Sequence, residues 1–322
     1  MSFVTRGALL ALVIGLGGCG DETPSQHIGT PDGPYRLALA VTPPVPAVGQ
    51  TTTLEFTLTH GAGRTPVGDP QIVHERALHT FIVARDFSSF AHLHHEDFAP
   101  LTDADRARGR FRFPYAFPRA GDYRIVSEFV HRERAFSRRF DLRVGDGGTE
   151  PVAPADTARS RDVGAFTARL ATSPAHPVAG HEAELVIELT RDGMPVRDLA
   201  LWLGAEAHVA IWREDGEGFG HTHSYTAAMA RMMASMRQHR MDAGHSAAMM
   251  LEMMAQPATL EYPGPRVPVR HTFPTPGRYR LFFQLAPGGA PLVVPFVLDV
   301  VADDGQADTR MESIVRVTET AG

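Results

Sequence analysis

The chain has 322 residues, 31 Lys and Arg against 37 Asp and Glu, a formal net charge of −6 and one cysteine. No basic stripe runs through it, which excludes a nucleic-acid partner as a reading of its charge. A single thiol excludes an intrachain disulfide, a Cys-type structural zinc site and a blue-copper site, which needs a Cys ligand.

The N-terminus pairs Arg6 with an apolar run, Ala8–Leu16, and then Leu16-Gly17-Gly18-Cys19. A basic start, a short apolar stretch and small residues describe a secretory leader, and the run is too short for a permanent membrane span. The last four residues resemble the bacterial lipobox. That resemblance implies a leader over 1–18, lipidation of Cys19, and a membrane contact through the lipid alone. Residues 19–34 are polar and rich in Pro and Gly, as a tether is.

Beyond the tether the chain is a duplication. Tyr35–Thr59 aligns with Phe166–Thr190 without a gap. His79, Asp86, Phe90, His92 and His94 recur as His208, Asp215, Phe219, His221 and His223, an offset of 129 each time. Phe117-Pro118-x-x-Gly121-x-Tyr123-Arg124 recurs as Phe273-Pro274-x-x-Gly277-x-Tyr279-Arg280, an offset of 156. The difference, 156 − 129 = 27, is extra length in the second copy. Two domain-sized copies follow: 35–144, a Gly/Pro-rich linker 145–163, and 164–302, with a polar tail over 303–322.

Within each copy, period-two alternation is bounded by Gly and Pro. Arg36–Val41, Thr53–Leu58, Thr80–Ala84, Tyr123–Phe129 and Arg138–Val144 read as strands. So do Thr167–Ala171, Glu184–Leu189, Leu199–Leu203, Val209–Trp212, Tyr279–Leu285 and Val293–Val300. About seven short strands per copy predict an all-β protein of two tandem immunoglobulin-like antiparallel β-sandwiches. Tyr123 and Tyr279 read as core aromatics that follow a turn.

The repeated pattern is His-x6-Asp-x3-Phe-x-His-x-His. A hairpin in which residue i pairs with 171 − i sets His79 opposite His92 and keeps His94 on the same face; 429 − i does the same for His208, His221 and His223. Three imidazoles on one patch suit Cu(II), Zn(II) or Ni(II). The other reading is ordinary hydrogen-bonded histidines, and the two copies could share one site. Asp86 and Asp215 read as turn residues, or as hydrogen-bond partners of a ligand imidazole. Phe90 and Phe219 read as core. His95 is a further potential ligand; His176 and His181 read as surface, and His60, His74, His131 and His271 as background.

The extra length of copy two, 224–256, holds nine of the twelve methionines. Met229, Met232, Met233 and Met236 share one helical face, and Met249, Met250, Met253 and Met254 repeat the stripe after Gly244; His239 and His245 are interspersed. This predicts a helical insertion whose thioethers and imidazoles suit Cu(I). The alternative is an apolar lid or a pliable partner-binding surface.

Phe81-Ile-Val-Ala-Arg-Asp86-Phe-Ser-Ser-Phe90-Ala-His92-Leu-His94, followed by Phe117-Pro-x-x-Gly121-x-Tyr123, resembles the repeated domain of exported bacterial proteins related to the YtkA-like and FixH-like families. The resemblance implies a non-catalytic, metal-associated β module of the cell envelope, on its periplasmic or outer-surface side. Together these readings predict a lipid-anchored envelope protein that buffers, resists or delivers copper, with zinc as the second candidate ion and an envelope protein as a candidate partner. The competing reading is a non-metal interaction or assembly module built of immunoglobulin-like domains. A three-His metalloenzyme has no supporting catalytic motif.

Overall fold

The computed structural model describes residues 34–132, 134–148, 151–152, 156–226, 229, 231 and 259–303. The first domain contains β1 (Tyr35–Thr42), β2 (Thr51–His60), β3 (Thr65–Pro66), β4 (His79–Ala84), β5 (Phe90–Leu93), a short helix α1 (Asp103–Arg108), β6 (Arg110–Ala116), β7 (Gly121–His131) and β8 (Arg134–Val144). The second contains β9 (Ser160–Val163), β10 (Phe166–Ser173), β11 (Glu182–Arg191), β12 (Met194–Pro195), β13 (Leu199–Ala200), β14 (Ala207–Arg213), β15 (Phe219–His223), β16 (Arg266–Thr272), β17 (Gly277–Pro287) and β18 (Leu292–Val300).

Each domain is a pair of antiparallel sheets, so the chain is two tandem immunoglobulin-like β-sandwiches. In the first domain β2 is flanked by β1, β3 and β6, and the facing sheet runs β5-β4-β7-β8. In the second, β11 is flanked by β10, β12 and β16, with β9 beyond β10; its partner sheet places β14 and β18 on either side of β17, with β15 outside β14. Alternation explains the inner faces. In β2, Thr52, Leu54, Phe56 and Leu58 are buried while their neighbours reach toward solvent, and this row meets Ile82, Ile125 and Phe129 in the first core. Leu185, Ile187 and Leu189 of β11 do the same against Val209, Leu281 and Phe283 in the second.

The repeated Phe-Pro-x-x-Gly-x-Tyr motif is a tyrosine corner. The Tyr123 hydroxyl donates to Arg119 O at 2.9 Å and the Tyr279 hydroxyl to Thr275 O at 2.8 Å, with both rings buried. Gly121 and Gly277 hold φ of 126° and 137° at the entry to the strand, where a Cβ would be strained.

A third apolar cluster lies between the domains. Phe81, Val83, Phe87 and Val126 of the first domain pack on Ala210, Trp212 and Phe282 of the second. Every residue of β4 is therefore buried, as is nearly every residue of β14. Thr80, Ile82 and Ala84 face their own core, while His79, Phe81 and Val83 face the other domain. The contact is roughly two-fold. Arg124 donates to Asp215 O at 3.1 Å, and its counterpart Arg280 lies 5.4 Å from the centre of the Phe87 ring.

The hairpin register differs from expectation by two residues. Phe81 pairs with His92 and Val83 with Phe90; in the second domain His208 pairs with His223. The cause is the turn, which is longer than the tight loop assumed. Asp86 Oδ1 accepts from Ser88 N at 2.9 Å, Phe87 takes φ 61°, and Ala84 N closes on Ser89 O at 3.1 Å. The second domain builds the same turn from Asp215, Gly216 and Glu217. A slip of two leaves every side chain on its expected face, because the strand period is two.

The expected leader, Cys19, the tether as far as residue 33 and the tail after Asp303 lie outside the described residues. So do Met232, Met233, Met236, His239, Met241, His245, Met249, Met250, Met253 and Met254 of the insertion. Met229 is described and buried, its N–H directed at Thr226 Oγ1 at 3.1 Å.

Candidate metal centre

Strand parity sends His79, His92 and His94 to the outer face of their hairpin, where the second domain covers them. Their inner ring nitrogens converge. His79 Nδ1 lies 3.2 Å from His92 Nε2, and His94 Nε2 lies 3.0 Å from each. They form a buried group whose ligand atoms all lie within 4.8 Å of one another.

What the outer nitrogens do decides what the inner ones carry. His79 Nε2 faces Val73 O at 2.9 Å, His92 Nδ1 faces Gln284 Oε1 at 2.9 Å, and His94 Nδ1 faces Asp97 Oδ2 at 2.8 Å. A backbone carbonyl and a carboxylate only accept, and the amide oxygen of Gln284 does the same, so each imidazole carries its proton outward. The three inner nitrogens are then bare lone pairs, packed together in a buried site. That arrangement repels itself until a cation sits among the nitrogens. Metal–nitrogen bonds of about 2.0–2.1 Å put ligand nitrogens about 3.3–3.6 Å apart, a few tenths of an ångström wider than the spacing here.

The surroundings favour a neutral His92. Burial drags His92 well below the ordinary imidazole range, and the neighbouring histidines lower it further. For Asp97, burial opposes ionisation, but the hydrogen bonds from His94 and Arg76 and the charge of Arg76 outweigh it and hold the carboxyl below its usual value. Phe81 stacks on His92 with ring centres 4.0 Å apart and sets the plane of that ring.

The second domain repeats only part of this. His208 Nδ1 lies 3.1 Å from His221 Nε2, and His208 Nε2 donates to Leu203 O at 3.2 Å. The third ring turns away: His223 Nδ1 donates to Ser224 O at 2.9 Å, and its centre is 6.1 Å from that of His208. Asp97, the residue that holds His94, corresponds to Thr226, which has no carboxylate. Among the described residues the triad closes only in the first domain. Burial pushes His208 down to about 3, and it lowers His223 as well.

His74 corrects the background assignment. Its ring centre is 5.0 Å from that of His208 and 4.1 Å from that of His223, so it enters the cluster from the first domain. It aligns with Leu203, so the repeat gave no signal for it; the two share only a left-handed backbone, φ 47° and 52°. Glu128 and Gln284, also overlooked, are buried polar residues inside otherwise apolar strands, which was the available clue. His95 is not placed as a ligand: Nδ1 accepts from Arg112 N at 2.9 Å and Nε2 donates to Pro100 O at 3.4 Å. Asp86 and Asp215 shape turns. Phe90 and Phe219 pack in the interdomain cluster rather than in their own domains' cores. His176 is exposed and His181 pairs with Asp303, both on the surface.

No curated protein matches the chain. Among solved structures, the Escherichia coli adhesin FdeC is similar at 11% identity, over 86% of this chain and 65% of that one, with a TM-score of 0.22. The Yersinia pseudotuberculosis adhesin InvE is similar at 12% identity, over 82% of this chain and 59% of that one, with a TM-score of 0.22. A Salmonella alpha-2-macroglobulin matches at 12% identity over 85% of this chain and 15% of that one, with a TM-score of 0.24. This chain thus spans less than two thirds of the length of each. The model of one family, described as a domain of unknown function (DUF8832), matches residues 29–146 and again 161–302. The chain belongs to that family, as two tandem copies of its domain.

Proposed function

We propose that this protein is a non-catalytic metal-binding module of the bacterial cell envelope, with copper as its ion and zinc as the competing one. The observation that carries the reading is the convergence of three imidazole nitrogens at 3.0–3.2 Å, each ring oriented by an acceptor on its far side. Three neutral imidazoles suit Cu(II) or Zn(II). Copper is placed first because the Met- and His-rich segment 224–256 begins directly after His223 and offers donors for Cu(I). Export and lipidation at Cys19 are part of the proposal; they rest on the leader-like N-terminus and the motif resemblance to YtkA-like and FixH-like modules.

The test is calorimetric titration of the full chain with Cu(II) and with Zn(II), beside a His92→Leu/His94→Leu variant. A sub-micromolar event lost in the variant is the expected result. No binding tighter than about micromolar, about −8 kcal/mol, would overturn the proposal. The remaining reading would then be an envelope interaction module, which the tandem β-sandwich architecture by itself supports.

A further inference from the structure

Outside the triad, the interface holds a second set of buried polar atoms that the triad does not use. A cavity of about 30 Å³, enough for a water-sized guest, opens between the domains and is lined by His74, His79, Glu128 and His221, among others. His74 Nε2 and Glu128 Oε1 are both buried there and have no hydrogen-bond partner among the described residues. Leaving two such atoms unsatisfied is costly, so a bound guest that satisfies both is favoured. Glu128 Oε2 stands 3.4 Å from His221 Nδ1, which is the edge length of a first-row metal's coordination shell as well as a long ion pair.

We infer that this cavity is a second cation position, with His221 and Glu128 as its close ligand pair and His74 as its third group, so that the interface holds two ions. This rests on the reading of the triad as a metal site. The donor set is two imidazoles and a carboxylate, which takes a borderline divalent ion such as Zn(II) or Cu(II). The second position is the looser of the two, because among the described residues only the triad has three ligand atoms within 4.8 Å of one another. Water completes its shell, and His79, which lines the cavity and also belongs to the triad, makes the two positions neighbours. The ligands come from both domains, Glu128 and His74 from the first and His221 from the second.

The experiment is Zn(II) titration of the full, untagged chain by calorimetry, with bound metal counted after desalting. Zinc is chosen because thioethers are poor ligands for it, which keeps the methionines of 224–256 silent, and His239→Leu/His245→Leu serves as the background for the imidazoles of that segment. Wild type should show two events, the second at least tenfold weaker. His74→Leu/Glu128→Gln should lose the weaker event and keep the tight one; His92→Leu/His94→Leu should lose the tight one. A single equivalent in wild type, removed by the triad variant, overturns the second position and leaves the triad standing. Two events that survive His74→Leu/Glu128→Gln overturn it as well. No event in any form sinks both readings. The wild-type stoichiometry decides even where a variant does not fold.

Discussion

Glu128 and Gln284 are one position in the two copies, and each reaches out of its own domain to an imidazole of the other. Gln284 Oε1 meets His92 Nδ1 at 2.9 Å, and Glu128 Oε2 meets His221 Nδ1 at 3.4 Å. Each also pairs, across the strands of its own sheet, with the first histidine of its own copy: Glu128 with His79 and Gln284 with His208. The orientation of a first-domain ligand therefore depends on the second domain. Gln284→Leu removes the acceptor that sets the His92 tautomer while keeping side-chain volume. It should weaken the tight binding event by about 10–100-fold, as loss of an outer hydrogen-bond partner does. Calorimetry checks this; an unchanged affinity would show that His92 is oriented by its own domain, through Phe81, alone.

Asp97 has the matching role within the first domain. One oxygen accepts from His94 Nδ1 at 2.8 Å and from the His94 backbone N–H at 3.0 Å, while the other faces Arg76. Asp97→Ala should cost a similar 10–100-fold in affinity and about 1–2 kcal/mol in stability from the lost hydrogen bonds. His95→Gln, one residue from a ligand, should leave affinity within a few-fold. Reversal of that order would contradict the assignment of His94 rather than His95 as the ligand.

The fold was legible because it rests on local alternation and on a repeat: the rows of β2 and β11, and the two Gly-x-Tyr entries into β7 and β17, can be read residue by residue. The histidine faces were legible for the same reason, since parity survived a register error of two. The register itself depended on whether Asp86 closes a two- or a four-residue loop, and that is settled by a left-handed Phe87, which sequence does not advertise. The partners were out of reach. Gln284 is 192 residues from His92 along the chain, and nothing local says that the outer faces of two sandwiches meet. One clue existed: His79–Ala84 and Ala207–Trp212 carry apolar residues on both faces, which a sandwich with one solvated face does not require.

That shared face yields a stability prediction. Trp212 is fully buried at the centre of the interdomain cluster, its ring 4.5 Å from that of Phe219, which in turn lies 5.0 Å from Phe81. Trp212→Ala should cost about 3–5 kcal/mol and should split a single thermal transition into two, one per domain, in scanning calorimetry. Tyr123→Phe, which removes only the corner hydrogen bond, should cost about 1 kcal/mol and leave one transition. A single undivided transition in Trp212→Ala would mean that the domains are held together by the polar cluster rather than by its apolar neighbour.

Acid should unfold the ion-free protein earlier than its net charge suggests. Burial holds His208 and His271 down to about 3, whereas in the unfolded chain each takes a proton near pH 6.5. Between those two values the unfolded state binds protons that the native state refuses, so stability falls as pH falls, beginning near 6.5 and levelling near 3. At pH 5 the loss is roughly 2 kcal/mol for each of the two; the lowered values of His74, His92 and His223 act in the same direction, and the Glu128 carboxyl, raised well above its usual range by burial, opposes them. Urea unfolding in chelator at pH 7.5 and pH 5.0 should show a midpoint clearly lower at the acid value. His271, which packs edge-on against Phe273 with ring centres 4.7 Å apart, separates the structural part from the site. His271→Phe should flatten the pH dependence by its own share and leave metal affinity in place. If the midpoint is the same at both values, His208 and His271 do not resist protonation in the folded protein and their assigned lowering is wrong.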